Sequence, residues 1–213
     1  MTSAFDHPDW LASSLLADVG AHALAARIKP LDPAWRLWGP ALPVSVPPGD
    51  NLAIHHALTL TRAGEVLVID AQAYLERAVM GGIMTTQSKA AGLAGVVIDG
   101  AIRDSLELVE LGLPVFAAGT HPAGPSKKGD GGVLHPIVCA GAPVRAGDWI
   151  HGDCDGVVVV PVERKDELLA AAHAKYLREQ ERMAAIARGE LKPAWLDADL
   201  ARAAIAVAPR QRA

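Results

Sequence analysis

A chain of 213 residues, 51% of them hydrophobic, holds enough apolar side chain for one substantial core, and a net charge of −4 with no basic block leaves no electrostatic footprint for nucleic acid. No apolar run approaches the roughly 20 residues of a membrane-spanning helix. Residues 1–10 are polar and acidic, without the basic and apolar regions of a secretory signal, so a soluble cytoplasmic protein is expected. Cys139 and Cys154 lack metal-site spacing and are read as reduced thiols. Aromatic residues are few and alanine is abundant, which favours oligomerisation as a way to bury more surface.

In chain order, Leu11, Leu15, Val19 and Ala23 recur every fourth position and predict a helix over 11–25, stopped by Pro30 and Pro33. Residues 35–46 read as a bent strand or a strand pair, broken by Gly39, Pro40 and Pro43. The turn Pro47-Pro48-Gly49-Asp50 leads to a helix through 55–60 that Asp50 or Asn51 can cap. Apolar runs at 65–70, 92–100 and 114–117 have the character of buried strands. The stretches 83–91 and 105–111 between them suit helices, and the alternation predicts a βαβ core with a parallel sheet. The segment ending at Met80 reads as helix-like or turn. Segment 119–132, rich in Gly, Pro, Lys and Ser, is a long loop of the kind that often carries function. Strand-like runs at 133–138, 142–144 and 156–160 follow and predict an antiparallel or mixed β-rich layer. Pro161 leads into a long helix, 163–188, with Leu168, Ala172, Tyr176, Met183 and Ile186 on one face and Gly189 at its C′ position. The fold class is α/β, with one domain over 1–189 and a tail of short helical potential over 190–213.

Three motifs carry possible chemistry. Gly81-Gly82-Ile83-Met84 opens a predicted helix, whose free N–H groups bind anions and whose glycines allow close approach, although by pattern alone a simple Gly-Gly turn is the commoner reading. Arg103-Asp104 follows an apolar strand at the sheet edge where binding crevices form. The arginine can hold a carboxylate by two bonds and the aspartate can be an oxygen ligand for Mg²⁺. The same residues also fit a capping box, with Asp104 at N-cap and Glu107 at N3. Asp153 and Asp155, two apart, are acid/base candidates or members of an Asp-Gly turn. His55, His56, His121, His135 and His151 show no metal-ligand spacing and are read as structural or surface residues. Ser126-Lys127-Lys128-Gly129 lacks the full phosphate-loop pattern and reads as solvated loop. No G-x-S-x-G element suggests a hydrolase triad.

The run AVMGGIMTTQSKAAGLAGVVIDGAIRD, residues 78–104, resembles the RraA-like family. That family includes the 4-hydroxy-4-methyl-2-oxoglutarate / 4-carboxy-4-hydroxy-2-oxoadipate aldolases and the regulators of ribonuclease E activity. Pro48-Gly49-Asp50-Asn51 with His55, the run 64–70, Gly119-Thr120 with Gly124-Pro125, Gly147-Asp148 and GDCDGVVVVP at 152–161 agree with it, so that the likeness spans residues 11–165. The resemblance implies a swivelling β/β/α fold and a homotrimer or hexamer with sites between subunits. It implies that Arg103 holds the carboxylate of a small 2-oxo acid, that Asp104 carries Mg²⁺ or Mn²⁺, and that amides at Ile83 and Met84 help hold the pyruvyl group, which coincides with the substrate-binding anion site read at Gly81-Gly82-Ile83-Met84. The implied chemistry is metal-assisted cleavage of a carbon–carbon bond to give pyruvate through an enolate, by retro-aldol cleavage or by decarboxylation of oxaloacetate. One departure stands out: Gly82 lies where the family's aldolases have an acidic residue, twenty-one positions before the arginine. Glu107 or Glu110 fits the family's trailing acid, and Asp153 or Asp155 is a candidate for a replacement relay. The alternatives are a non-catalytic regulator that binds ribonuclease E, and the same chemistry on another substrate. A methyltransferase is the least favoured reading, because the chain shows no glycine-rich strand–loop–helix with a following acid for its cofactor.

Overall fold

The computed structural model describes residues 8–208, so that the N-terminal stretch read for a secretory signal and the end of the tail, 209–213, fall in part or wholly outside the described residues. In chain order the elements are α1 (Ser13–Asp18), β1 (His22–Ala23), β2 (Lys29–Pro30), β3 (Leu37–Ser45), α2 (Leu52–Ala57), β4 (Val66–Met80), α3 (Gly82–Ala90), β5 (Gly95–Ile102) and α4 (Ser105–Leu111). They continue with β6 (Val115–Thr120), β7 (Gly132–Val133), β8 (Ile137–Cys139), β9 (Ala142–Val144), β10 (Trp149–Asp153), β11 (Gly156–Val160), α5 (Lys165–Ala187) and α6 (Leu196–Leu200).

A mixed sheet runs in the order β1-β11-β10-β3-β4-β5-β6-β2, with β7 added to one end of β3. Its centre, β3 through β6, is parallel. The β3 strand explains the bend expected from its prolines: Leu37–Pro40 pair antiparallel with β10, and Ala41–Ser45 pair parallel with β4. Side-chain alternation splits the core into two layers. Leu67, Ile69, Val96 and Ile98 face one way, toward Ile54 of α2, Met84 of α3 and Leu108 of α4. Val66, Val68, Val97 and Phe116 face the other way, toward a β layer containing Ile137, Val144, Ile150 and Val159. The result is the expected β/β/α arrangement, and α5 follows it after a 3₁₀ turn at Val162–Arg164.

Several local expectations are corrected. The helix foreseen over 11–25 ends at Asp18, because Ala21 N–H turns back to Leu16 O and Gly20 adopts φ +107, after which β1 pairs with β11. The segment ending at Met80, read as helix-like or turn, is strand. It prolongs β4 past Asp70 through register shifts against β5, with Gln72 and Ala73 at φ +59 and +55. Strands β1, β2 and β10 carry no sequence signal of their own, being two residues long or interrupted by His151 and Gly152. Asp153 and Asp155 sit at the β10–β11 hairpin. Asp153 accepts bonds from Ser13 N–H and Ser13 Oγ, both 2.7 Å, and so anchors the start of α1.

The chain falls into two compact units that divide within α5, one ending at Ala174 and one starting at Lys175; the limit read from the sequence, after residue 189, lies near the end of the same helix. Gly189 has φ +90, as its C′ position requires. Among the described residues no helix is long and apolar enough to cross a membrane.

Candidate active site

Parallel strands β4 and β5 deliver two turns to the same edge of the sheet, where crevices form in α/β proteins. The first turn is Gly81, opening α3; the second is Arg103-Asp104, opening α4. Arg103 N–H donates to Met80 O at 3.0 Å and ties the turns together. Ile83 and Met84, at the second and third positions of α3, carry amide hydrogens that no carbonyl of their own helix can reach.

Asp104 occupies the N-cap position of α4 but does not cap it. Its backbone is left-handed, φ +61 and ψ +34, and its side chain makes no bond to α4. Instead Gly82 N–H donates to Asp104 Oδ2 at 3.0 Å, so that the carboxylate closes the start of the neighbouring helix. The capping box expected from Asp104-x-x-Glu107 is therefore absent, because an N-cap residue needs extended backbone to turn its oxygen onto its own first turn. Left-handed backbone in a non-glycine residue carries strain, which proteins tend to keep at functional sites. Arg103 Nε lies 3.5 Å from Asp104 Oδ2, and both side chains are about 40% exposed, at 42% and 39%.

The two glycines serve the protein's own side chains. A Cβ on Gly81 would lie 2.5 Å from Asp104 Oδ2 and 2.8 Å from Arg103 Cγ. A Cβ on Gly82 would fall on the Glu107 carboxylate. At the far end of the arginine, a Cβ on Gly124 would lie 2.9 Å from Arg103 Nη1. Arg103 thus lies across two bare backbone positions, Gly81 and Gly124, which set its direction.

Cavities open on both sides of Arg103. The first, about 280 Å³, is lined by the start of α3, Arg103, Asn51, His55 and Lys127. The second, about 290 Å³, is lined by Arg103, Asp104, Ser105, Thr120, His121 and Pro122. Asn51 Nδ2 donates to Val79 O and points at Met84 Sδ, which leaves Oδ1 buried with no partner; His55 Nε2 is likewise buried without one. Burial, and then the nearby Lys127 ammonium, push the His55 imidazole down, so it is neutral near pH 7. Asp50 holds the loop that carries Lys127. Its Oδ1 accepts Leu52 N–H at 2.9 Å, and its Oδ2 accepts Ser126 Oγ, Lys128 N–H and Gly129 N–H at 2.5, 2.8 and 3.0 Å. Burial opposes ionisation of Asp50, but these bonds outweigh it and hold the carboxyl well below the usual range.

The structure thus brings Gly81, Gly82, Ile83, Met84, Arg103 and Asp104 together, and it leaves Asp153 and Asp155 out of both cavities. Sequence reasoning did not assign Asn51, His55, Lys127 or His121 to the site. Asn51 and His55 are four apart across the start of a helix and so share a face, a signal that was present. Lys127 and His121 reach the site only through the path of the 119–132 loop, which spacing does not encode. The donor set suits a hard divalent cation: one Asp104 oxygen takes the Gly82 amide, the other accepts no bond from the described residues, and Mg²⁺ commonly uses one or two carboxylates and several waters.

Comparison with known proteins identifies the family and the fold. The family model described as RraA-like, Aldolase/RraA, matches residues 10–159. A relative from Halalkalibacterium halodurans, provisionally named 4-hydroxy-4-methyl-2-oxoglutarate aldolase, is 41% identical over 167 residues, covering 78% of this chain and 80% of its own. Among solved structures, an uncharacterized protein from Pseudomonas syringae pv. tomato superposes with TM-score 0.75 at 27% identity, over 84% of this chain and 89% of that one. The RNA-processing inhibitor RraA from Thermus thermophilis superposes with TM-score 0.65 at 29% identity, over 71% and 93%.

Proposed function

The chain belongs to the RraA-like family, and from that premise we propose that it is a divalent-metal-dependent lyase that cleaves a carbon–carbon bond of a small 2-oxo acid to release pyruvate. The observation that carries the reading is the meeting of three groups at one sheet edge: the Arg103 guanidinium, the half-exposed Asp104 carboxylate and the free amides of α3. Arg103 and the amides of Ile83 and Met84 hold the substrate carboxylate and fix the angle of the breaking bond. Asp104 holds Mg²⁺ or Mn²⁺, which supplies Lewis-acid polarisation of the 2-oxo group. When the bond breaks, its electron pair remains on the pyruvyl carbon as an enolate, which takes a proton to give pyruvate. In retro-aldol cleavage the hydroxyl on the adjacent carbon loses its proton and becomes a carbonyl; in oxaloacetate decarboxylation CO₂ leaves. Glu107, whose carboxylate lies over Gly82, is placed to hold the water that exchanges these protons.

The working form is a homotrimer or hexamer with sites at subunit boundaries. Ile83 and Leu106 support this, as large apolar side chains 84% and 81% exposed beside the site.

The test is pyruvate release from oxaloacetate, 4-hydroxy-4-methyl-2-oxoglutarate and 4-carboxy-4-hydroxy-2-oxoadipate, each with Mg²⁺ and with EDTA. Metal-dependent pyruvate that disappears in Asp104→Ala supports the lyase. A folded, metal-loaded protein inert toward all three, together with capture of ribonuclease E, supports instead a regulator. The likeness to the Thermus RraA favours that second reading.

A further inference from the structure

The cavity on the Asp104 side of Arg103 contains a histidine whose protonation pattern is set by the backbone. Ala123 N–H donates to His121 Nδ1 at 3.1 Å. A ring nitrogen that accepts a hydrogen bond carries no proton, so the neutral ring bears its proton on Nε2. His121 is tied in place as well, since its own N–H donates to Ile102 O at 2.8 Å, next to Arg103. The second cavity therefore combines a ring N–H, the Arg103 guanidinium and the hydroxyls of Ser105 and Thr120 around one carboxylate, Asp104. Apart from that carboxylate its polar side chains can all donate, which suits an anionic oxygen group.

Arg103 lines both this cavity and the one lined by the α3 amides, and Asp104 lines the second. A 2-oxo acid with its carboxylate on Arg103 and those amides, and its oxo group toward Asp104, extends past Arg103 along Asp104 into the second cavity. We propose that this cavity receives the distal half of the substrate, and that His121 Nε2–H donates to a second carboxylate there, which makes His121 the residue that selects 2-oxo dicarboxylic acids. The proposal rests on the lyase reading and deepens it. Lys127, on the opposite side, is the competing cation for the same group.

Two substitutions separate the functions of the ring. His121→Asn puts an amide oxygen near the Nδ1 position, retains the bond from Ala123 and removes the outer donor. His121→Gln places an amide N–H near Nε2. With 4-hydroxy-4-methyl-2-oxoglutarate, His121→Asn should raise KM by about 10- to 100-fold, as expected for a lost hydrogen bond to a charged group, and His121→Gln should recover part of it. Pyruvate has no distal half, so its C3 proton exchange in D₂O, followed by NMR, should change less than threefold in His121→Asn. The proposal is overturned if His121→Asn leaves KM unchanged, if it impairs pyruvate exchange equally, or if Lys127→Met rather than His121→Asn raises KM. A wild-type protein that neither cleaves the dicarboxylate nor exchanges pyruvate rejects the lyase reading itself, and this inference with it.

Discussion

The Glu107 carboxylate occupies the space that a side chain on Gly82 would fill. The two residues are far apart in sequence and belong to different helices, α3 and α4, yet only one side chain fits between them. A chain with an acid at position 82 could not keep Glu107 in this pose. The pose of Glu107 over this turn therefore depends on glycine at position 82.

Glu107→Ala should lower pyruvate formation by about 100-fold, the lower range for loss of a proton-transfer group. Adding Gly82→Asp to Glu107→Ala should restore a substantial part, because the vacated space then accepts the new carboxylate. Gly82→Asp alone should be inactive, with two carboxylates forced together. Steady-state turnover of the three proteins decides the matter; a double variant no better than Glu107→Ala would remove Glu107 from the chemistry.

Gly81→Ala is expected to act through the side chains around it. The added methyl would meet Asp104 Oδ2 at 2.5 Å and Arg103 Cγ at 2.8 Å, closer than nonbonded atoms approach, so both must move. Misplacement of about 1 Å at a site of this kind costs about 100-fold in rate. Gly119→Ala is the matched control, since its methyl meets only Leu75, at 3.4 Å. Equal activity of the two variants would show that the seating of Arg103 and Asp104 on Gly81 is unimportant.

The elements around the site were readable because each had its own local pattern. The apolar runs of β4, β5 and β6 and the helices between them predicted a parallel core, and Arg103-Asp104 followed from its place after a strand. The extension of β4 was not readable, since Gln72 and Ala73 interrupt its alternation with left-handed backbone. Nor was the role of Asp104: D-x-x-E encodes a capping box locally, and only the approach of α3 redirects the carboxylate to Gly82. Glu107 and His121 depend on which bare backbone, or which loop N–H, comes opposite them after folding. Such partners are tertiary, and one-dimensional spacing carries no trace of them.

Asp104→Asn separates metal binding from helix closure. The amide oxygen can still accept from Gly82 N–H, so the fold should persist, but the anionic oxygen that suits a hard cation is gone. Titration with Mn²⁺, followed by water-proton relaxation, should show at least about 10-fold weaker binding than wild type, in line with losing a charged ligand interaction of roughly 1.5–3 kcal/mol. Chelation by EDTA should abolish pyruvate release in the wild type and restored Mg²⁺ should return it. Unchanged Mn²⁺ affinity in Asp104→Asn would move the metal site elsewhere.

Asp50 makes the loop bearing Lys127 dependent on pH. Its carboxyl is held well below the usual range in the folded protein by donors from Ser126, Leu52, Lys128 and Gly129. A group depressed on folding contributes its stability in full above the unfolded pKa of about 3.9. That contribution is lost as pH falls below this value toward the folded pKa, because the unfolded chain then takes up a proton that the folded chain refuses. Asp50→Asn removes the charge, and it should cost about 2 kcal/mol at neutral pH, within the range for hydrogen bonds to a charged group. Asp153 is depressed in the same direction, so wild type and variant will both lose stability in acid, and the informative quantity is their difference. Urea unfolding of the two proteins from pH 7 to pH 3 should give a difference that is constant above pH 5 and shrinks from pH 4 downward. A difference that stays unchanged to pH 3 would mean that shape, and not the charge of Asp50, secures the loop.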